Sequence, residues 1–323
     1  MINVKQGIKI IGIPLLFAFC LRYIFGIKSL EDFYSVMTVS FFCLLPSGVG
    51  ALTIYFSRIE NVKSLSYRLG APMIPIFIFF ILTCILKIEG FACWVMALPL
   101  FLIAASLGGL LAGYFKLKAH KKRERIYISI LLLLPFIITP VEQYIGAIPA
   151  NFEAYTFIDI EANPEIIWNN VTSVKEIEAR QDKGWLTRFL GFPRPIKAEL
   201  NYTGIGATRE AIFSGGLTFH EKVIDYENQK RMKFSIKAIP SEIPSTTLDE
   251  HVVIGGNYFD VLDGTYELEK RSPATYRLHL YSHFKLSTTF NFYAGWWASR
   301  IMKDIQNNIL QIIKQRAEHN TLM

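Results

Sequence analysis

Five apolar stretches, each close to the length that crosses a bilayer, fill the chain before Ala147: residues 8–27, 34–56, 71–86, 91–115 and 126–146. Roughly 20 consecutive apolar residues in a helix span the hydrocarbon layer, where an extended or irregular backbone would leave its polar groups unsatisfied. The sequence therefore predicts a helical membrane domain over 1–146 with about five spans. The third stretch is short and the first contains Arg22, so four spans is the alternative. Lys5 and Lys9 give the first stretch the look of a signal peptide, but no small-residue cleavage site follows it, and it is read as a retained span.

Charge sets the expected orientation. Residues 1–146 hold 14 Lys/Arg against 6 Asp/Glu and residues 147–323 hold 20 against 21, so the net +7 belongs to the membrane loops. That placement makes no case for nucleic acid. The segments 57–70 and 116–125 (KLKAHKKRER) are the basic ones and are expected in the cytoplasm. With five spans the rest of the chain then lies on the extracytoplasmic side, in a bacterial inner membrane; an even number reverses it. Ala105, Gly109 and Gly113 form a ridge of small residues at helical spacing, able to pack helices within the chain or to join copies into a homo-oligomer. Cys20, Cys43, Cys84 and Cys93 all lie in apolar runs, so neither a disulfide framework nor a cysteine metal site is written here.

After a short link, 147–151, the pattern changes. Residues 152–323 carry alternating strands, cleanest at 231–238 (RMKFSIKA) and 276–286, with further strands at 154–160, 203–213, 217–226 and 258–269. Asn163, Pro164 and Glu165 read as the start of a helix through Val171, and a second short helix is expected near 174–179. Residues 180–197 read as irregular. The chain closes on a helix over 292–318 whose apolar residues Trp297, Ile301, Ile305, Ile309 and Ile313 recur every fourth position. A bent antiparallel sheet wrapped on that helix is the α+β layering such an order allows.

The segments IDIEANPEIIWNNVTSVKEI (158–177), GFPRPIKAEL (191–200), GIGATREAIFSGGLTFHEKVIDYE (204–227), YFDVLDGTYELE (258–269) and NFYAGWWASRIMKDIQNNILQIIKQRAE (291–318) resemble the START-like, polyketide cyclase/dehydrase and lipid-transport superfamily (SRPBCC). The resemblance covers 152–318 and none of the membrane part. It implies a helix-grip fold with a cavity between sheet and helix. It does not choose among the cyclases, hydrolases, hormone receptors and lipid carriers that share that cavity.

Within such a cavity, strand parity points Arg209 and Glu221 inward on neighbouring strands, and an Arg and a Glu at these positions are common in the resemblance. They are read either as a buried, self-satisfying ion pair or as the polar anchor of a ligand pocket, together with Tyr266, Tyr276 and Ser282. Trp297, Ile301 and Ile305 would face the cavity from the helix. Trp185, Phe189, Leu190 and Phe192, rimmed by Lys183, Arg188 and Arg194, read as a lid or a bilayer-facing portal. His279 and His283 stand about 13 Å apart on a strand at roughly 3.3 Å per residue, too far to share a metal. His220 points outward and His251 falls in a loop. No G-x-S-x-G, H-E-x-x-H or phosphate loop is present, so no catalytic residue, metal or cofactor is assigned. The expected function is a membrane-anchored domain that binds an apolar, lipid- or isoprenoid-like ligand. A cyclase- or hydrolase-type enzyme and a ligand-dependent sensor stand as alternatives.

Overall fold

A computed structural model describes residues 4–122, 129–239 and 254–321. His251 lies outside them. The chain forms two compact units, Met1–Ala147 and Ile148–Met323.

The first unit is built from helices α1 (Lys5–Phe25), α2 (Val39–Phe56), α3 (Leu65–Ile85), α4 (Phe91–Lys122) and α5 (Ser129–Ile145). Four of these, α1 to α4, are long and apolar enough to cross a membrane, not the five read from the sequence. The expected third run gains a turn and a half at its start, from Leu65. The fifth run gives a shorter apolar helix of 17 residues among the described ones.

Helix α2 is the centre of this unit. Its Gly50 lies so close to α4 that a Cβ there would stand 1.9 Å from the carbonyl oxygen of Ala105, and a Cβ on Gly108 would stand 2.1 Å from that of Ser47. Backbone approaches of this kind are what small residues permit between apolar helices. The ridge of Ala105, Gly109 and Gly113 is used in the same way inside the chain. Ala105 is fully buried against α2, Gly109 faces Pro72 and the Arg68 carbonyl, and Gly113 faces the Arg68 side chain.

Both ends of α2 are finished by charges from other helices. At its start, Val39 and Ser40 donate their backbone N–H groups to the two oxygens of the Glu142 carboxylate, at 2.6 and 2.9 Å, and the Ser40 hydroxyl donates as well. At its end, the Lys116 ammonium donates to the carbonyls of Ile54, Tyr55 and Ser57. Anion at the N-terminus and cation at the C-terminus are the arrangement the helix dipole favours, and they satisfy backbone groups that have no partner within the helix. Arg22 pairs with Glu89 in the connection between α3 and α4.

The second unit is a single eight-stranded antiparallel sheet closed over one long helix. Its elements are β1 (Ile148–Ile160), α6 (Pro164–Thr172), β2 (Ser173–Val174), α7 (Trp185–Leu190), β3 (Pro195–Leu200), β4 (Thr208–Phe213), β5 (Thr218–Glu227), β6 (Arg231–Ala238), β7 (Phe259–Lys270), β8 (Tyr276–Thr288) and α8 (Asn291–Thr321). The strand order is β1-β8-β7-β6-β5-β4-β3-β2, so the first strand returns to pair with the last. This is a helix-grip arrangement.

Several boundaries differ from the sequence expectation. Four of the five residues read as a link, 148–151, belong to β1, where they pair with Lys285 to Thr288 of β8. In place of a helix at 174–179 the chain makes the two-residue β2, whose partners on β3 are Glu199 and Ala198. The supposedly irregular 180–197 holds both α7 and the start of β3. Helix α6 begins where expected, with the Asn163 side chain accepting from the Glu165 N–H.

Of the stripe Trp297, Ile301, Ile305, Ile309 and Ile313, helix α8 fully buries only Ile313. Ile301, Ile305 and Ile309 are half-buried, whereas Gln306, Leu310, Ile313 and Ala317 are buried, as are Asn308 and Ile312 to one side. The reason is that two surfaces cover the helix. The sheet takes the first set, and the 174–187 segment takes Asp304, Asn308 and Ile312.

Candidate functional site

Arg209 on β4 and Glu221 on β5 are direct partners in register, and both point to the concave face of the sheet. The Arg209 Nε–H donates to Glu221 Oε2 at 2.5 Å, and Nη1 donates to the Val171 carbonyl at the end of α6 at 3.2 Å. The guanidinium also lies 4.7 Å over the Phe234 ring and 5.9 Å from that of Tyr266. Phe234 can lie there because Gly264 on the next strand has no side chain: a Cβ would meet the ring at 2.5 Å. The pair is thus held on all sides by protein. Burial pushes the Glu221 carboxyl above the usual carboxylate range, against the pull of Arg209, and burial raises the Tyr266 hydroxyl too.

The residues expected beside this pair separate into three places. Tyr266 joins it in the inner core with Trp168, Met232, Leu278, Leu280 and Leu310. Tyr276 packs at the edge of that core, next to Ile160 and Lys270 in register. Ser282 belongs to a second polar cluster built on Gln306 of α8. There Thr156 donates to Gln306 Oε1 at 3.0 Å, and Gln306 Nε2 donates to the Ala154 carbonyl at 3.0 Å and to the Ser282 hydroxyl at 2.9 Å. Every polar atom of the buried amide is used, as an interior without water requires.

Sequence reasoning missed Gln306. The signal that could have found it is its place on the helix: Met302, Gln306, Leu310, Ile313 and Ala317 continue one face, and a polar residue inside an apolar stripe needs partners.

Gln306 stands between two unlike parts of the interior. Towards the end of α8 the core is centred on buried Trp168, Met232, Leu278, Leu310 and Ile313. Towards its start, the concave face presents Phe213, Phe219 and Phe259, all half-buried, with Val261, Phe284 and Leu286. The helix answers with small or flexible residues, Ala294, Ala298 and Met302. Gly295 belongs with them, since a Cβ there would stand 2.5 Å from the Phe152 ring, which stacks on Phe284. Trp297, Ile301 and Ile305 are half-buried on this part of α8.

The segment read as a lid is fastened at its base. The Asp304 carboxylate accepts from the Thr187 N–H at 2.9 Å and from the Thr187 hydroxyl at 2.8 Å. Asn308 donates to Asp182 Oδ1 at 2.8 Å and accepts from the Lys183 N–H at 2.7 Å. Leu190 is buried, Phe192 is half-buried, and Trp185 and Phe189 are exposed.

The histidines sit outside the concave face. His279 bonds with the Tyr155 hydroxyl at 2.8 Å and Glu269 at 3.2 Å, and His283 lies between Asp263 at 2.6 Å and Glu153 at 3.2 Å. His220 faces Glu210 at 4.0 Å. Among the described residues no cluster of His, Cys, Asp and Glu could hold a metal ion.

No protein-family model matches this chain, and no curated protein matches it. Solved structures resemble about half of it. Truncated norcoclaurine synthase from Thalictrum flavum is 13% identical and aligns over 51% of this chain and 94% of its own, with a TM-score of 0.31. The protein XoxI from Bacillus cereus is 12% identical over 51% and 94%, with a TM-score of 0.30. The Aha1 dimer from Colwellia psychrerythraea is 17% identical over 52% and 96%, with a TM-score of 0.27. Likenesses at this level assign neither an activity nor a ligand.

Proposed function

We propose that the protein is anchored in a membrane by its apolar helices and that residues 148–323 bind an apolar ligand, lipid- or isoprenoid-like, without chemical conversion. The observation that carries this reading is the uneven filling of the interior. Phe213, Phe219, Phe259 and Met302 lie between sheet and helix and remain half-buried, whereas Met232, Tyr266, Leu278 and Leu310 beyond Gln306 are buried. Covering such surface with an acyl or ring system contributes roughly 25 cal/mol per Å². The Arg209–Glu221 pair would wall this space rather than grip a ligand, since Arg209 Nε and Nη1 and Glu221 Oε2 already have partners in the protein.

Ala298→Phe tests the reading, because it fills this space from the helix side. Lipid extraction and mass spectrometry of the purified full chain should find an apolar molecule whose occupancy falls about ten-fold in the variant, equivalent to about 1.4 kcal/mol of binding. Ile224→Ala, on an exposed outer position, should leave it unchanged. The absence of any co-purifying apolar molecule from the gently purified wild type, or equal amounts in wild type and Ala298→Phe, would sink the proposal.

The extracytoplasmic side we propose for residues 148–323 is supported by where α5 ends rather than by how many long helices precede it. Glu142 is bound at the start of α2, and Lys116 and the basic segment 57–70 are at its end, about 27 Å away at ~1.5 Å per residue. If the basic end is cytoplasmic, the chain leaves the helical unit at the extracytoplasmic end. A reporter fused after Met323 should therefore be active when it is alkaline phosphatase and dark when it is a fluorescent protein that matures only in the cytoplasm. The opposite pattern overturns this orientation.

A further inference from the structure

We infer that the surface formed by α7 and the turns on either side of it docks on an anionic lipid surface, with Trp185 and Phe189 entering the headgroup layer and Lys183, Arg188 and Arg194 meeting lipid phosphates. Trp185 is 71% exposed and Phe189 is 57% exposed, one helical turn apart on the outer side of α7. An indole and a benzyl group largely exposed at that spacing are side chains that favour the interface between lipid and water. They are not on a loose flap. Thr187 is tied to Asp304, Asp182 is tied to Asn308, and Leu190 is buried beneath them.

From Lys183 to Arg194 the exposed charges all have one sign: Lys183, Arg188 and Arg194 are exposed, and Asp182 is buried below them, 3.7 Å from Arg188 and 3.9 Å from Arg194. The turn before them carries an exposed acid, Glu178, which is paired with Arg180. Arg300 and Lys303 are exposed on α8 within a turn of Asp304, the residue that holds Thr187. Such a surface repels a second copy of itself, which argues against a symmetric dimer through this face. A bilayer with anionic headgroups matches both its apolar centre and its charged rim. This inference stands apart from the ligand proposal: the rings lie outside the sheet-helix interior, and the docking needs no occupied cavity.

The test uses the full chain in lipid nanodiscs whose acyl chains carry bromine, a contact quencher of tryptophan. Discs contain phosphatidylcholine alone or phosphatidylcholine with phosphatidylglycerol. Subtracting the emission of Trp185→Phe from that of the wild type isolates Trp185, and the exposed position tolerates the exchange. Docking predicts a blue-shifted, bromine-quenched difference spectrum in the phosphatidylglycerol discs. It also predicts loss of that quenching in high salt and in Lys183→Gln/Arg194→Gln, both exposed positions. A difference spectrum typical of water and unquenched in both lipids overturns the inference. So does a blue-shifted spectrum that bromine does not quench, because protein and not lipid would then cover Trp185.

Discussion

Arg209→Met should lower the stability of residues 148–323 by about 3–5 kcal/mol, because it leaves the Glu221 carboxylate buried without its counterion. Arg209→Met/Glu221→Leu should regain most of that loss, since well-packed apolar side chains replace a buried pair at little net cost. Hydrogen exchange of peptides from β4 to β6, measured on the full chain, reads both. The single variant should also respond to pH. The folded-state pKa of Glu221 is raised by burial, so the corresponding stability is fully present below the ordinary glutamate value and is lost as pH rises through the raised one. The deficit of Arg209→Met should therefore shrink as the solution is acidified. A single-variant loss below about 0.5 kcal/mol, typical of a surface position, would mean that the pair is not buried in solution.

The second large effect belongs to the helical unit. Gly50→Val places a Cβ 1.9 Å from the Ala105 carbonyl oxygen, a backbone atom that cannot swing aside. Helices α2 and α4 must then separate, and the substitution should cost on the order of 3 kcal/mol by overpacking. Gly70→Ala supplies the control, since nothing lies within 4 Å of a Cβ there. Its effect should stay within about 0.5 kcal/mol. Unfolding of the full chain in mixed detergent and SDS micelles distinguishes the two. Equal midpoints for both variants would mean that the crossing of α2 and α4 is looser than the packing at Gly50 and Gly108 requires.

What could be read in advance depended on whether a residue's partner lay on a regular repeat. Arg209 and Glu221 share a face with their apolar neighbours at a spacing of two, so their inward direction follows from the strand period alone, and their register places them opposite each other. The strand-helix-sheet-helix order of 152–318 was legible on the same basis. Helix α7 was not, because six residues cannot hold a helix by propensity; Asp304 and Asn308, more than a hundred positions away, hold it. The same tertiary contacts explain why the isoleucine stripe of α8 misled. A helix covered on two sides buries polar residues that have fixed partners and leaves some of its isoleucines at the seam. Glu142 and Lys116 gave a similar lesson. Each reads as an ionisable residue in or beside an apolar run, and only the packing of α4 and α5 around α2 shows that both finish the ends of another helix.

The pairing of β1 with β8 constrains the order in which the molecule can be made. All thirteen residues of β1, from Ile148 to Ile160, find their backbone partners on Tyr276–Thr288. During synthesis β1 leaves the ribosome early and must wait, with an open hydrogen-bonding edge, until the last strand arrives. The helix that covers its inner face, α8, comes later still. Contacts this distant in sequence slow folding, and an unpaired strand is a template for aggregation. The nascent chain is therefore most vulnerable between translation of β1 and translation of α8, when chaperone binding and proteolysis at 148–160 should be strongest.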